Sequence, residues 1–574
     1  MYDYTNATDL HDLFEQPIAE QIWRSKYQLK VQGEEIDLSV RDTWFRVATA
    51  LAQAESPQDR QRVTSEFYEA MEDFKLLPAG RILSGAGTRR SVSLSNTFVM
   101  KTLPDSVAGI MDVIKEAALT MKMGGGLGFD FSTIRPVGEE VKGLDCPAAG
   151  PLAVMDICDS VCKMLVTGMG RGAMMATMRV DHPDIEMFVR AKSDPARMRN
   201  FNLSVMIPDA FMEAVEKDEY WGLVWNGTVK SRIKARALWN TIMEQNFQAA
   251  EPGVLFIDRI NEVNPLKHIE RICATNSCAE QPLPPNGTCP LTSINLPRIV
   301  RQPFTEHAEV DLDALRQLTA TAVRLLDNAL DVSDFAVEEQ TIEAQSKRRI
   351  GIGVTGVGDA LAMLGVKYGS EASEALVSEW MRVLSNAAYA ASARLAQTRG
   401  AFAHYDAARY AELPMTRALD QDVRQLISAY GLRNATLTTI APTGTTSMFG
   451  GNVSSGVEPI FATCYKRRMT AHDGTHSEQV IEDFAVWKFH QFFGFDVPLT
   501  DAFVTVADLT PSDHVRIQAA AQAWVDSGIS KTINCPEDIG FEAFEGVYRE
   551  AYARGCKGCT TYRPNSVTGS VLSL

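Results

Sequence analysis

From Pro78 onward, short apolar runs alternate with longer amphipathic stretches over about 500 residues, and this alternation restricts the possible folds more than any other feature. Val254-Leu255-Phe256-Ile257, Ile350-Gly351-Ile352-Gly353-Val354 and Ala435-Thr436-Leu437-Thr438-Thr439-Ile440 have the length and composition of strands. Leu315, Leu318, Ala322, Leu325 and Ala329 recur at helical spacing. So do Leu376, Trp380, Val383, Ala387 and Ala391, with Gly400 placed to end that helix. Strand followed by helix, repeated, predicts an α/β fold. Residues 1–75 differ: they are polar and helical, with apolar positions at Leu13, Ile18 and Ile22 and later at Trp44, Val47 and Leu51. The expected organisation is a helical N-terminal region, 1–75, and one catalytic α/β unit, 76–574, with no internal repeat and no low-complexity linker.

Composition narrows the partners. An apolar fraction of 45% and a charged fraction of 22% suit a globular chain with a sizeable core. No apolar run approaches the roughly 20 residues that a membrane span needs. Asp3, Asp9, Asp12 and Glu15 near the start oppose a basic signal-peptide leader, so the cytoplasm is expected. A net charge of −16 argues against non-specific nucleic-acid binding, though not against nucleotides held by a few local donors. Ten cysteines in 574 residues do not make a disulfide scaffold and point instead to catalysis or metal binding.

The cysteines matter most at Ala274-Thr275-Asn276-Ser277-Cys278-Ala279-Glu280-Gln281-Pro282. Pro282, Pro284 and Pro285 oppose a helix, and in extended backbone Asn276, Cys278 and Glu280 share one face. An amide, a thiol and a carboxylate so placed provide an anchor, a redox or nucleophilic sulfur and a general base. A partly buried free cysteine between solvated polar residues is the plain alternative. Met121-Lys122-Met123-Gly124-Gly125-Gly126-Leu127-Gly128 is glycine-rich and leads to Ile134-Arg135-Pro136. Ala441-Pro442-Thr443-Gly444-Thr445-Thr446-Ser447 follows an expected strand and offers hydroxyls and free N–H groups to a phosphate, or else an ordinary Ser/Thr cap. Cys556 and Cys559 form a C-x-x-C without a second pair, which disfavours structural zinc. His472 and His476 flank Gly474 in a polar run and read as a solvated loop rather than a metal site. No metal site is expected.

The run from Arg271 to Pro297, with NSCAEQPLPPNGTCPLTSINLP at its heart, resembles the active-site finger loop of ribonucleotide reductases. The resemblance covers about residues 75–574 and implies a ten-stranded α/β barrel with a central finger loop, the architecture shared with glycyl-radical enzymes. It implies that Cys278 is the thiyl radical that removes the 3′ hydrogen, that Glu280 takes the 3′ hydroxyl proton, and that Asn276 holds that hydroxyl. Cys289 is similar to one member of the redox pair that reduces the 2′ carbon. Asn96, Thr97, Gly126, Asn276 and Pro442, Thr443, Gly444, Thr445, Thr446 and Ser447 fall at substrate-binding positions. Asp105, Ser106, Arg135 and Arg171, the last in Gly170-Arg171-Gly172-Ala173-Met174-Met175, fall at positions for a deoxynucleotide effector, a site that forms across a homodimer in the family.

Class follows from the end of the chain. Thr560 and Thr561 stand where radical-subunit-dependent members carry two adjacent tyrosines, and Gly569-Ser570-Val571 lacks a glycyl loop. The segment from Cys556 to Leu574 resembles the adenosylcobalamin-dependent class, without an Asp-x-His-x-x-Gly cobalt ligand. The resemblance implies adenosylcobalamin as cofactor and an external dithiol such as thioredoxin as reductant. Cys556 and Cys559 are candidates for electron relay, since no cysteine-bearing tail follows them. No activity-controlling nucleotide cone is evident at the start.

One position departs from the pattern: Thr97 stands where the partner of Cys289 is expected. Three readings follow: a substitution that traps a state, replacement in space by Cys146, Cys158 or Cys162, or radical chemistry with a non-reductive outcome at the 2′ carbon. A catalytically silent nucleotide-binding paralogue is the alternative outside enzymes, opposed by the intact Asn276, Cys278 and Glu280.

Overall fold

The computed structural model describes residues 13–141, 145–167, 170–194, 196–470 and 476–565; the side chains of 166–171 and 467–479 lie outside that description. Eleven strands frame the site: β1 Leu76–Pro78, β2 Thr97–Val99, β3 Gly126–Asp130, β4 Met174–Arg179, β5 Phe201–Ile207, β6 Gly253–Phe256, β7 Thr288–Cys289, β8 Leu291–Asn295, β9 Gly351–Thr355, β10 Thr532–Asn534 and β11 Gly558–Tyr562. Eight form one sheet in the order β7-β2-β3-β4-β5-β6-β11-β10. β2 to β6 run parallel, while β11 lies antiparallel to β6 and parallel to β10. Three more form a second sheet, β9-β8-β1. The parallel strands are nearly continuous in apolar residues because helices cover them; β4 reads Met-Met-Ala-Thr-Met-Arg, buried except at its end.

The hydrogen-bonded ladder is not a closed ten-stranded barrel. On one side, among the described residues, the sheets are linked by isolated bridges, Ile352 with Thr438 and Ile440 with Ile529, rather than by a strand ladder. On the other, the chain passes from Cys289 to Leu291 through Pro290, which has no N–H to donate. The strand expected at 435–440 is reduced to those bridges for a local reason. The N–H groups of Leu437 and Thr438 donate to the Asp526 carboxylate, at 2.8 and 2.9 Å, instead of to a neighbouring strand.

The helices follow the sequence pattern. Leu312–Val332 starts at Asp311, whose carboxylate accepts from the N–H groups of Asp313 and Ala314, and it buries Leu315, Leu318, Ala322, Leu325 and Ala329. Glu371–Arg399 ends at Gly400 with φ 81°, a left-handed conformation that glycine adopts without strain. Near the start, Val40–Leu51 carries a Ser39/Asp42 capping box. Its Trp44, Val47 and Leu51 share a core with Leu326, Ile352 and Leu384. Truncating one such residue, Leu326→Ala, should cost about 2–5 kcal/mol. No described helix is long and apolar enough to cross a membrane.

Candidate active site

Between β6 and β7 the chain leaves the sheet as a hairpin whose arms, Ala274–Thr275 and Pro282–Leu283, pair antiparallel. The tip is a turn, not the extended strand expected for Asn276, Cys278 and Glu280. Ala279 donates its N–H to Asn276 O at 3.2 Å and takes φ 66°. The prolines forbid helix here, and the arm pairing closes the segment on itself. Asn276 secures the turn, its N–H donating to Gln281 O at 3.1 Å and its Oδ1 accepting from Gln281 N at 2.9 Å. Its amide also hydrogen-bonds the Glu280 carboxyl. The triplet is therefore brought together by a turn rather than by strand alternation.

The hairpin is fastened to the sheet at every second residue. Thr177 Oγ1 donates to Cys273 O at 2.8 Å. Thr275 O lies so close to Gly128 that a Cβ there would sit 1.8 Å from it. Asn202 Nδ2 donates to Ser277 O at 2.7 Å, and a Cβ on Gly126 would meet Ser277 Oγ at 2.9 Å. On the opposite side, Glu280 O accepts from Gly528 N at 2.9 Å and from Thr439 Oγ1 at 2.8 Å. The glycine-rich segment thus makes room for the hairpin backbone.

Cys278 is exposed, and its surroundings form a cavity of about 690 Å³. The cavity lies deep in the molecule, and this burial pushes the thiol up to about 12. Glu280, two residues on, is buried and does not line the cavity; desolvation raises its carboxyl to about 7, with the Asn276 hydrogen bond opposing. Its Oε2 has no protein partner among the described residues. A carboxyl near neutrality with a free oxygen is a competent general base. Cys289 and Thr97 are direct cross-strand partners, and Thr97 Oγ1 donates to Cys289 O at 2.6 Å. Both are fully buried, and burial holds the Cys289 thiol well above its usual range.

Of the other expected substrate positions, Gly444 and Ser447 line the cavity. A Cβ on Gly444 would meet nothing within 4 Å, so its backbone is open to a ligand. Thr443 is occupied internally: its Oγ1 bonds Thr355 Oγ1 at 2.9 Å and accepts from Gly456 N at 2.8 Å. Thr446 Oγ1 donates to Thr443 O at 3.2 Å. Pro442 and Thr445 are half-buried, and Asn96, Thr97 and Gly126 lie behind the hairpin, away from the cavity wall.

Asp105, Ser106 and Arg135 meet away from the cavity. Arg135 Nε donates to Asp105 Oδ2 at 2.9 Å, and the Ser106 side chain caps helix Val107–Lys122. Arg171 belongs to the short strand Gly170–Arg171, with its side chain outside the described residues. Cys158 and Cys162 are buried on helix Pro151–Met164, packed into the core, and Cys146 is exposed elsewhere. None of the three lines the cavity, so the structure gives no support to their standing in for Thr97. Cys559 reaches the cavity wall, but Cys556 does not; both belong to the core behind it, and burial raises both thiols. Thr560 is exposed beside Gly253, whereas Thr561 is buried and donates to Asn246 Oδ1 at 2.6 Å. His472 lies outside the described residues, and His476 begins the strand His476–Glu482 rather than a loop.

Sequence reasoning did not find Thr177, Asn202, Thr439 or Gly528. They act through backbone contacts to the hairpin, and no spacing in the sequence announces that.

Comparison with known proteins matches residues 95–562 to a family described as ribonucleotide reductase, barrel domain. Residues 13–91 match one described as ribonucleotide reductase, all-alpha domain. A vitamin B12-dependent ribonucleoside-diphosphate reductase of Mycobacterium tuberculosis (strain CDC 1551 / Oshkosh) is 33% identical over 96% of this chain and 80% of its own length. A protein of the same description from Thermoplasma acidophilum is 35% identical, over 89% of this chain and 66% of its own. A ribonucleoside-diphosphate reductase subunit alpha of Chlamydia pneumoniae is 24% identical, over 90% and 56%.

Proposed function

The chain belongs to the ribonucleotide reductase large-chain family, and from that premise we propose that it reduces ribonucleoside di- or triphosphates to 2′-deoxyribonucleotides with adenosylcobalamin as radical source. The observation that carries this reading is the Cys278 sulfur open to the cavity, with the buried Glu280 carboxyl, raised to about 7, in the same turn. Sulfur is the atom that takes and returns the 3′ hydrogen. Glu280 receives the 3′ hydroxyl proton on its unpartnered Oε2, and Gly444 and Ser447 receive the phosphates. Two sheets whose edges approach through Ile352, Thr438, Ile440 and Ile529 are read as halves of a ten-stranded barrel, residues 76–574, behind a helical region, 1–75.

The cavity fits the cofactor in two respects: Cys278 faces it unobstructed, and the absent side chain of Gly253 leaves a notch beside Thr560 Oγ1. Ser204, Thr532 and Thr560 would hold its polar parts, and Ile260, Met448 and Phe461 its apolar ones. When bound, adenosylcobalamin supplies the one-electron step that removes the hydrogen atom from Cys278. The same reading includes a cytoplasmic protein, a homodimer with a deoxynucleotide effector near Asp105, Ser106, Arg135 and Arg171, an external dithiol reductant, and electron relay through Cys556 and Cys559.

A second reading, a non-reductive outcome at the 2′ carbon, is favoured by one observation: a threonine hydroxyl occupies the cross-strand position facing Cys289. Anaerobic incubation with adenosylcobalamin, CDP or CTP, an effector mixture and excess dithiothreitol separates the two. Catalytic deoxynucleotide, lost in Cys278→Ser, is the expected result. Free base, or altered nucleotide without net reduction, favours the second reading, and a cofactor left intact with every nucleotide removes cobalamin from the proposal.

A further inference from the structure

Cys278 Sγ has one hydrogen-bonding neighbour among the described residues, Ser277 Oγ at 3.7 Å, and that sulfur is also the only partner of the Ser277 hydroxyl. The direction of this bond decides where the S–H bond points. If the thiol donated to the hydroxyl, its hydrogen would be held against Ser277, which lines the same cavity, instead of standing free in it. The Ser277 O–H would then be left without a protein acceptor among the described residues, although Ser277 is only 7% exposed. An O–H is the stronger donor and S–H a weak one, and an unpaired buried donor costs more than an unused lone pair. The balance therefore favours O–H donating to sulfur, which leaves S–H free to face the cavity.

The surroundings hold the hydroxyl in this position. Asn202 fixes the Ser277 carbonyl at 2.7 Å, so the residue cannot swing outward with its backbone. Gly126 lies beneath the hydroxyl, where a Cβ would approach Ser277 Oγ to 2.9 Å and Asn96 O to 3.2 Å. A methyl group at 126 would thus contend for the hydroxyl's own space, whereas it would stand 3.7 Å from Ser277 Cβ, an ordinary contact. A glycine here is needed for the serine, not for the hairpin backbone alone.

We propose that Ser277 is a further functional residue of this site, donating its hydroxyl proton to the Cys278 sulfur and so aiming the reactive S–H bond into the cavity, with Gly126 and Asn202 as the residues that position it. The inference rests on the reading of Cys278 as the reacting thiol. The bound cofactor would supply the carbon radical that takes this hydrogen atom, the new C–H bond forming as S–H breaks, and the unpaired electron would stay on sulfur. The same hydroxyl then remains in contact with the electron-poor sulfur.

Thiol chemistry without cofactor or nucleotide tests the bond directly. Iodoacetamide labelling of the cofactor-free protein, followed at the Cys278 peptide by mass spectrometry from pH 8 to 11, reads the thiolate fraction at this one sulfur. A donor to sulfur stabilises the thiolate, so Ser277→Ala should label about five-fold more slowly at each pH, corresponding to an upward shift of roughly 0.7 pH unit. Gly126→Ala should slow labelling to a similar extent, and the double variant should be no slower than Ser277→Ala alone. Unchanged or faster labelling in Ser277→Ala would mean that the thiol donates or that the contact is idle, and would overturn the inference. Additive effects of the two substitutions would remove Gly126 from it. Failure of the underlying reading is separately visible, because Cys278→Ser would then keep full reductase activity whatever the labelling shows.

Discussion

Gly128→Ala tests whether the sheet, through its backbone, sets the position of Cys278. A Cβ at 128 would lie 1.8 Å from Thr275 O and 2.8 Å from its carbonyl carbon. Both atoms are backbone, so no rotamer change relieves the clash. Reaching even a 3.0 Å separation requires the hairpin arm to retreat by more than an ångström. Thr275 is three residues from Cys278, and the turn between them is rigidly closed by Asn276, so the displacement passes to the sulfur. Misplacing a reacting group by about 1 Å can lower a rate by about 100-fold. Overpacking of this kind costs typically about 1–3 kcal/mol, which the fold should survive. The expected result is a roughly 100-fold loss of deoxynucleotide formation with a melting temperature lowered by only a few degrees. Anaerobic product assays and a thermal melt on the same preparation check both. Activity within about two-fold of wild type, in a folded protein, would refute the argument that the sheet backbone positions the thiol.

Three further outcomes follow from the same geometry. Thr97→Cys places two thiols in direct cross-strand register, 192 residues apart in sequence, so oxidation should remove two thiols from a titration and dithiothreitol should restore them. Activity with a dithiol reductant should rise in the same variant. Glu280, with its carboxyl raised from 4.5 to about 7, is ionised in the unfolded chain before it is in the native one, so it lowers stability as pH climbs from about 4.5 through 7. Glu280→Gln should therefore melt above wild type at pH 8, by up to about 3 kcal/mol, and not at pH 4, while activity falls at least about 100-fold. Lys557 is buried and donates to the carbonyls of Val525, Asp526 and Ser527. Lys557→Met should cost about 1–3 kcal/mol, measured by urea denaturation, since it strands the Asp526 carbonyl and leaves those of Val525 and Ser527 to Gln522 Nε2 alone.

Much of the fold was legible because hydrophobic period and strand length report burial directly. Leu312–Val332 and Glu371–Arg399 lie where the spacing of their leucines and alanines put them, and β6 and β9 where apolar runs stood. The segment 435–440 misled for the same reason: it has strand composition, but a distant carboxylate, Asp526, takes the N–H groups that a strand would have used. In the site, the triplet Asn276, Cys278 and Glu280 was readable as a group, yet its conformation was not. Pairing of the hairpin arms depends on contacts with β3, β4 and β5, which are far away in sequence. Thr177 and Asn202 were invisible for that reason, since each is a lone-standing polar residue between apolar neighbours in a mainly apolar strand. Gly128 was visible as a glycine, but its purpose appeared only with Thr275 O above it.

The fastening of the hairpin bears on how long a reactive sulfur could survive. A thiyl radical is quenched by any second thiol it touches, so persistence depends on restricted travel as much as on chemistry. Thr177, Gly128, Asn202, Gly528 and Thr439 hold the hairpin from both sides through its own backbone. The protein can thus be regarded as an insulator: its sheet holds one oxidised atom at a fixed place in a chain that carries nine other thiols, Cys559 among them on the same cavity wall.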